Sequence, residues 1–193
     1  MQDPAGQARR GFAVVAGRSG VFQFVGDAGT TAASRPSLRR GIEWSNRYIP
    51  KPWLVVDLDL SASRAQFTGD DPTASGNTIP GAIDRVASFG VTARDLGPWS
   101  GTMLMRYFGP RPLVEDNSVR SGSSLLWSAR ASYKVDPRTQ INLDILNLFD
   151  RKANDIEYYY ASRLQGEPAS GVNDIHFHPA EPRTFRVALV THF

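Results

Sequence analysis

Three groups of residues have types and spacings that can do chemistry. His176 and His178 flank Phe177, with Asp174 and Glu181 nearby. An H-x-H pair can ligate a metal when a strand brings alternate residues to one side; the alternative is a loop held by local hydrogen bonds. Asp57 and Asp59 are spaced like paired carboxylates, but no nucleophile or second acid accompanies them in sequence, so they read as charges on a wet surface. Tyr158, Tyr159 and Tyr160 form an aromatic run that suits either a ligand mouth or the extension of two strands beyond a rim. No G-x-S-x-G, P-loop or zinc-type spacing is present, so catalysis has no candidate constellation and the chain is expected not to be an enzyme. The absence of Cys rules out disulfides and thiolate metal sites. No cofactor is expected.

The elements that position these residues read as strands. Period-2 alternation recurs along the chain, and helical periodicity does not. Leu54, Val56, Leu58, Leu60 and Ala62 alternate with Asp57, Asp59, Ser61 and Ser63. The same pattern recurs in 85–95, 101–108, 123–135, 139–148 and 183–193, with weaker candidates at 21–25 and 39–48. About eight strands result, and no convincing helix. Residues 1–20 show no sustained period and lack the apolar run of a secretory signal; a poorly ordered leader is expected there, with the strand region over 21–193.

Composition narrows the class. The chain has 193 residues with 22 Lys+Arg against 19 Asp+Glu, and its mean hydropathy is −0.31. No stretch approaches the ~20 apolar residues of a spanning helix. The basic residues are scattered, so nucleic acid is not expected as a partner. Transmembrane β-barrels survive this arithmetic, because alternation averages a lipid face with a wet one.

Three features separate a membrane barrel from a soluble sandwich, which also alternates. Connections alternate strictly between long and short: 26–38, 49–52, 68–84, 96–98, 109–122, 136–138 and 149–182. One rim with tight turns and another with large loops produces this. Tyr48, Trp53, Trp99 and Tyr133 flank the short turns, as an interfacial girdle on the periplasmic rim would. The opposite strand faces carry Asp57, Asp59, Arg94, Arg106, Arg130, Asp144 and Arg186, which a membrane barrel would turn to its lumen. The fold expected is therefore an all-β, antiparallel, up-and-down transmembrane β-barrel segment of about eight strands, a partial, open or strongly curved sheet. A soluble all-β binding module and a small closed eight-stranded barrel remain the alternatives.

The blocks NLFD (147–150), DIEYYYASRLQGEP (155–168), GVNDIHFHPAEPR (171–183) and FRVALVTHF (185–193) closely resemble the C-terminal end of TonB-dependent outer-membrane receptors. RYFGPRPLVEDNSVRSGSS (106–124) and FVGDAGTTAASRPSLRRGIE (24–43) are similar to upstream loops and strands of those barrels. The resemblance implies an outer-membrane location in a Gram-negative bacterium and energy-coupled uptake of a large nutrient such as a siderophore chelate. It also implies partners: outer-membrane lipid, the barrel-assembly machinery, the rest of the barrel and plug, TonB and the nutrient. Phe185, Val187, Leu189 and the terminal Phe193 would then be the strand read by the assembly machinery. With a chelate rather than a bare ion as cargo, His176 and His178 are weak metal candidates. A barrel of about 22 strands at ~9–11 residues each needs more than about 200 residues before any loop. The 193 residues are thus expected to be roughly the last third of a barrel, without the plug and TonB box, and not transport-competent alone.

Overall fold

A computed structural model describes residues 7–25 and 30–192. Ten strands and no helix make up the described chain. They are β1 (Gln7–Val25), β2 (Thr30–Lys51), β3 (Leu54–Phe67), β4 (Arg85–Leu96), β5 (Trp99–Phe108), β6 (Ser124–Lys134), β7 (Thr139–Leu146), β8 (Asn154–Ser162), β9 (Val172–Pro179) and β10 (Thr184–Thr191).

Eight of them form one antiparallel sheet in the order β1-β2-β3-β4-β5-β6-β7-β10. Each neighbour in sequence is the neighbour in space, except that β8 and β9 pair with each other in a separate hairpin inside the last long connection. The sheet is open, since β1 and β10 are its two ends and no ladder joins them among the described residues. A closed eight-stranded barrel is therefore not what this chain forms.

Two further expectations change. Residues 7–20, read as a leader, lie in β1 and pair with β2 from Gln7↔Ile49 to Gly20↔Pro36. Their alternation is broken by Gly and Arg, so the ladder to a strongly patterned neighbour decides their structure. The interval 26–38, read as a long loop, is mostly strand: β2 begins at Thr30 and runs 22 residues. At about 3.3 Å per residue it spans roughly 70 Å, far more than the ~25 Å apolar band of a membrane barrel, so the β1–β2 hairpin projects well beyond the long-loop rim.

The register keeps one face apolar across all eight strands. One row runs Phe12, Trp44, Leu60, Ala87, Tyr107 and Leu125. Another runs Met103, Ala129, Ile145 and Phe185, and a third Gly101, Ala131, Leu143 and Val187. Side chains alternate strictly in a strand, so the intervening positions share the other face. They include Asp57, Asp59, Ser88, Arg106, Ser128, Arg130, Asp144 and Arg186.

This arrangement leaves almost no interior. The buried apolar residues among those described are Val55, Ala65, Phe67, Ala82 and Leu113, and all but Val55 lie toward the long-loop end. The chain exposes 13198 Å², whereas a globular monomer of 21.2 kDa would expose about 9,000 Å². Phe185, Val187 and Leu189 are each more than 60% exposed. Such a surface needs a second apolar medium against it.

Candidate functional site

The charged face is built from register. Arg130, Asp144 and Arg186 lie side by side on β6, β7 and β10. Arg130 grips Asp144 with both arms of its fork, Nε to Oδ1 at 2.5 Å and Nη2 to Oδ2 at 2.9 Å. Arg186 instead turns toward the loop, where Nη2 donates to Glu181 Oε2 at 3.1 Å. Arg47 and Asp57 are register partners on β2 and β3, with Nε 3.6 Å from Oδ1. Arg94 Nε donates to the Pro52 carbonyl at 3.0 Å, fastening the start of the β2–β3 turn to β4. The Arg106 guanidinium stands 5.6 Å from the Phe108 ring centroid. Asp59 has no cation partner among the described residues. The seven charges predicted for a lumen thus share one face, and Arg130 with Asp144 forms its one bidentate pair among the described residues. A recess of about 380 Å³ opens on this face between Leu104, Arg106, Leu126, Ser128, Asp155 of β8 and the loop residue Glu181.

The aromatic residues predicted for a girdle all lie at the short-turn rim. Tyr48 and Tyr133 share the apolar face with Val56 and Ile141, and Trp53 stands in the β2–β3 turn. Trp99 and Tyr133 are register partners, with ring centroids 4.7 Å apart. All four are exposed. Phe185, Val187 and Leu189 occupy the apolar face of β10; Phe193 lies outside the described residues.

At the opposite rim the long connections are tied to one another. Arg35 of β2 donates to Glu115 Oε2 at 2.8 Å and to the Gly76 carbonyl at 3.1 Å, and its guanidinium lies 4.4 Å from the Phe67 ring centroid. Both members of the ion pair are largely buried, 15% and 18% exposed. The Thr78 amide donates to the Glu115 carbonyl at 3.0 Å. One arginine therefore joins the β3–β4 and β5–β6 connections to the base of the β1–β2 hairpin.

In the last connection, buried Asn147 acts as a knot. Its Nδ2 donates to the carbonyls of Arg151 and Glu181, each at 3.0 Å, and Asp150 Oδ1 accepts from the Arg183 amide at 2.9 Å. Glu157 of β8 is buried as well, accepting from the Gly122 amide at 3.1 Å and from Asn154 Nδ2 at 2.7 Å. Between these anchors stands the β8–β9 hairpin. Register puts Tyr158 opposite His176 and Ile156 opposite His178, so Tyr158, Tyr160, His176 and His178 share a face, and Tyr159 takes the other. The Tyr160 and His176 rings stack with centroids 3.9 Å apart. With Phe177, these four line a recess of about 470 Å³. The histidines alternate onto one side as an H-x-H pair should, but no group of three His, Cys, Asp or Glu side chains suited to a metal exists among the described residues.

Arg35, Glu115, Asn147 and Glu157 were missed in the sequence. Arg35 and Glu115 are 80 positions apart, which no local pattern connects. The NLFD block could have marked Asn147, whose φ of 48° is a left-handed turn that Asn tolerates.

A family model described as "TonB dependent receptor-like, beta-barrel" matches residues 14–148. The chain is 25% identical over 127 residues to the pesticin receptor of Yersinia enterocolitica, a match that covers 63% of this chain and 19% of that receptor. It spans about a fifth of the length of the curated relatives it matches. Among solved structures, the ferric yersiniabactin uptake receptor FyuA of Yersinia pestis superposes with a TM-score of 0.71 at 19% identity, over 96% of this chain and 28% of that one. The ferric-catecholate import receptor Fiu of E. coli superposes at 0.70 and 19%, over 96% of this chain and 25% of that one.

Proposed function

The chain belongs to the TonB-dependent receptor β-barrel family, and from that premise we propose that it forms barrel wall in the outer membrane of a Gram-negative bacterium. Its apolar face meets lipid, its charged face lines a wet lumen, and its long connections face outward to meet a large nutrient. Energy-coupled uptake of that nutrient, with TonB as the coupling partner, is the activity proposed for the whole receptor to which such a wall contributes. The wall alone is not transport-competent, because a plug and the remaining strands are needed. One observation carries the membrane placement: an apolar face continuous in register through eight strands and backed by charges of both signs.

The geometry supports distinct tasks for the groups of residues. Tyr48, Trp53, Trp99 and Tyr133 sit at the periplasmic interface, where amphipathic rings are stable. Asp57, Asp59, Arg94, Arg106, Arg130, Asp144 and Arg186 keep the lumen hydrated. Phe185, Val187, Leu189 and Phe193 supply the strand that the barrel-assembly machinery reads. Tyr158, Tyr160 and His176 form an aromatic surface on the outer hairpin suited to a flat part of the ligand.

Heat-modifiable gel migration and detergent dependence test the placement. A chain that needs detergent and migrates differently before and after boiling supports it. A monomer soluble without detergent and unfolding cooperatively overturns it in favour of a soluble binding module.

A further inference from the structure

We propose that the outward face carries a site for the phosphate headgroup of a net anionic membrane lipid, at the upper edge of the apolar band. The inference rests on the membrane placement above but concerns a different ligand and a different face from nutrient uptake.

Arg40 of β2 and Arg64 of β3 are direct register partners. Both share parity with Ile42 and Ala62 and so stand on the lipid side, one row above them. Arg85 of β4 is the register partner of Ala62, which brings a third guanidinium to the same corner. Register partners hold their Cβ atoms about 5 Å apart, and like charges placed opposite one another are destabilising. All three arginines are exposed, and none has a carboxylate partner among the described residues. The charge is therefore left for something outside the chain.

A recess of about 670 Å³ lies at this corner. Arg40, Arg64 and Arg85 line it together with Val14, Ile42 and Ala62. The one carboxylate among its described lining residues, Asp84, is already held by Arg120 at 3.1 Å. Three free guanidinium forks suit a phosphate, whose oxygens they can meet in pairs. The apolar floor decides the source. Val14, Ile42 and Ala62 continue directly into the lipid face, so an acyl chain attached to the phosphate can lie along them, whereas a free ion gains nothing from them. A lipid of the leaflet on the long-loop side places its headgroup at this depth.

The full chain in dodecyl maltoside micelles, titrated with phosphatidylglycerol or phosphatidylcholine of matched acyl chains and read by native mass spectrometry, tests this. Phosphatidylglycerol is expected to be retained and phosphatidylcholine not. An arginine near an anionic lipid surface contributes about fivefold, so Arg40→Gln, Arg64→Gln and Arg85→Gln together should weaken retention roughly 100-fold. Arg138→Gln, in a turn on the opposite rim, should leave it unchanged. Equal retention by the triple variant, equal retention of phosphatidylcholine, or displacement by an equal concentration of inorganic phosphate would each overturn the proposal. If the triple variant does not fold, salt decides on the unmodified chain. Retention falling at least tenfold between about 0.05 and 0.5 M salt supports the site, and salt-independent retention overturns it. Insertion into vesicles separates the two readings. A chain that inserts without discriminating headgroups loses this site and keeps the membrane placement, and a chain that never inserts loses both.

Discussion

At the short-turn rim, strands reverse within two to four residues, and the rings that flank the reversals are exposed. At the long-loop rim, the connections run to 37 residues between β7 and β10, and they are held by buried polar contacts between segments far apart in sequence. The first rim is stabilised locally, by turn hydrogen bonds and by contact between neighbouring rings. The second depends on Arg35, Asn147 and Glu157, each of which holds at least two polar groups at once. A rim of the first kind fails one turn at a time. A rim of the second kind loses several loops when one side chain is removed, because the remaining partners stay buried and unpaired.

Replacing Arg35 by Ala tests this most severely. Glu115 would keep its mostly buried carboxylate without a cation, at about 2 kcal/mol. Hydrogen exchange of the β3–β4 and β5–β6 connections should then rise roughly 30-fold, with the short-turn rim unmoved. Uniform acceleration at both rims would show that the clamp is not local.

Gly76→Ala should act on the same contact by a different route. A Cβ there would meet the Glu115 carbonyl group and the Asp116 backbone, an overlap that typically costs about 1–3 kcal/mol. The same two connections should loosen, and Arg35→Ala should add little on top of it. Full additivity in the double variant would separate Gly76 from the clamp.

Trp99→Ala addresses the other rim. Loss of the ring contact with Tyr133 should cost about 1 kcal/mol, read as the coupling in a double-mutant cycle with Tyr133→Ala. No coupling would mean that each ring is held by the interface and not by its neighbour.

Acid gives the smallest effect and touches both rims. Asp136 has its carboxyl lowered by the backbone amide of Arg138 and by Thr139. Asp71 is lowered by the Thr73 hydroxyl and amide, and Asp116 by the Ser118 amide and hydroxyl. A carboxylate whose folded pKa is depressed contributes stability above its ordinary pKa of about 4 and loses it as pH falls through the lower folded value. Titration by NMR should therefore find all three below ordinary aspartates, with the turn and loop contacts weakening only in acid. A value at or above the ordinary range for Asp136 would remove the turn from this account.

The rims also differ in how far the sequence reveals them. β3, β6, β7 and β10 were legible because one face of each is apolar and the other polar, which imposes period 2. The charges of the opposite face were legible for the same reason. The upper half of β2 was not. Residues 30–40 project past the apolar band, so neither face is under that constraint, and Pro36 reads as a strand breaker. The β8–β9 hairpin was hidden by three consecutive tyrosines, whose alternation cannot be read when both faces are aromatic. The Arg35–Glu115 pair and the Glu157 contact to Gly122 join segments tens of residues apart, and their side chains carry no mark that distinguishes them from surface charges.

The unbroken face register has a consequence for how such a gene can change. Losing one codon inside β3 or β7 would turn every later side chain of that strand from the apolar face to the charged one, so that Leu and Ile would exchange places with Asp and Asn. Deletions and insertions within the wall are therefore tolerable in pairs or where a bulge absorbs the odd residue. The long connections carry no such parity and can grow or shrink by any number. Variation in length should accumulate at the long-loop rim, while the sheet keeps its dimensions.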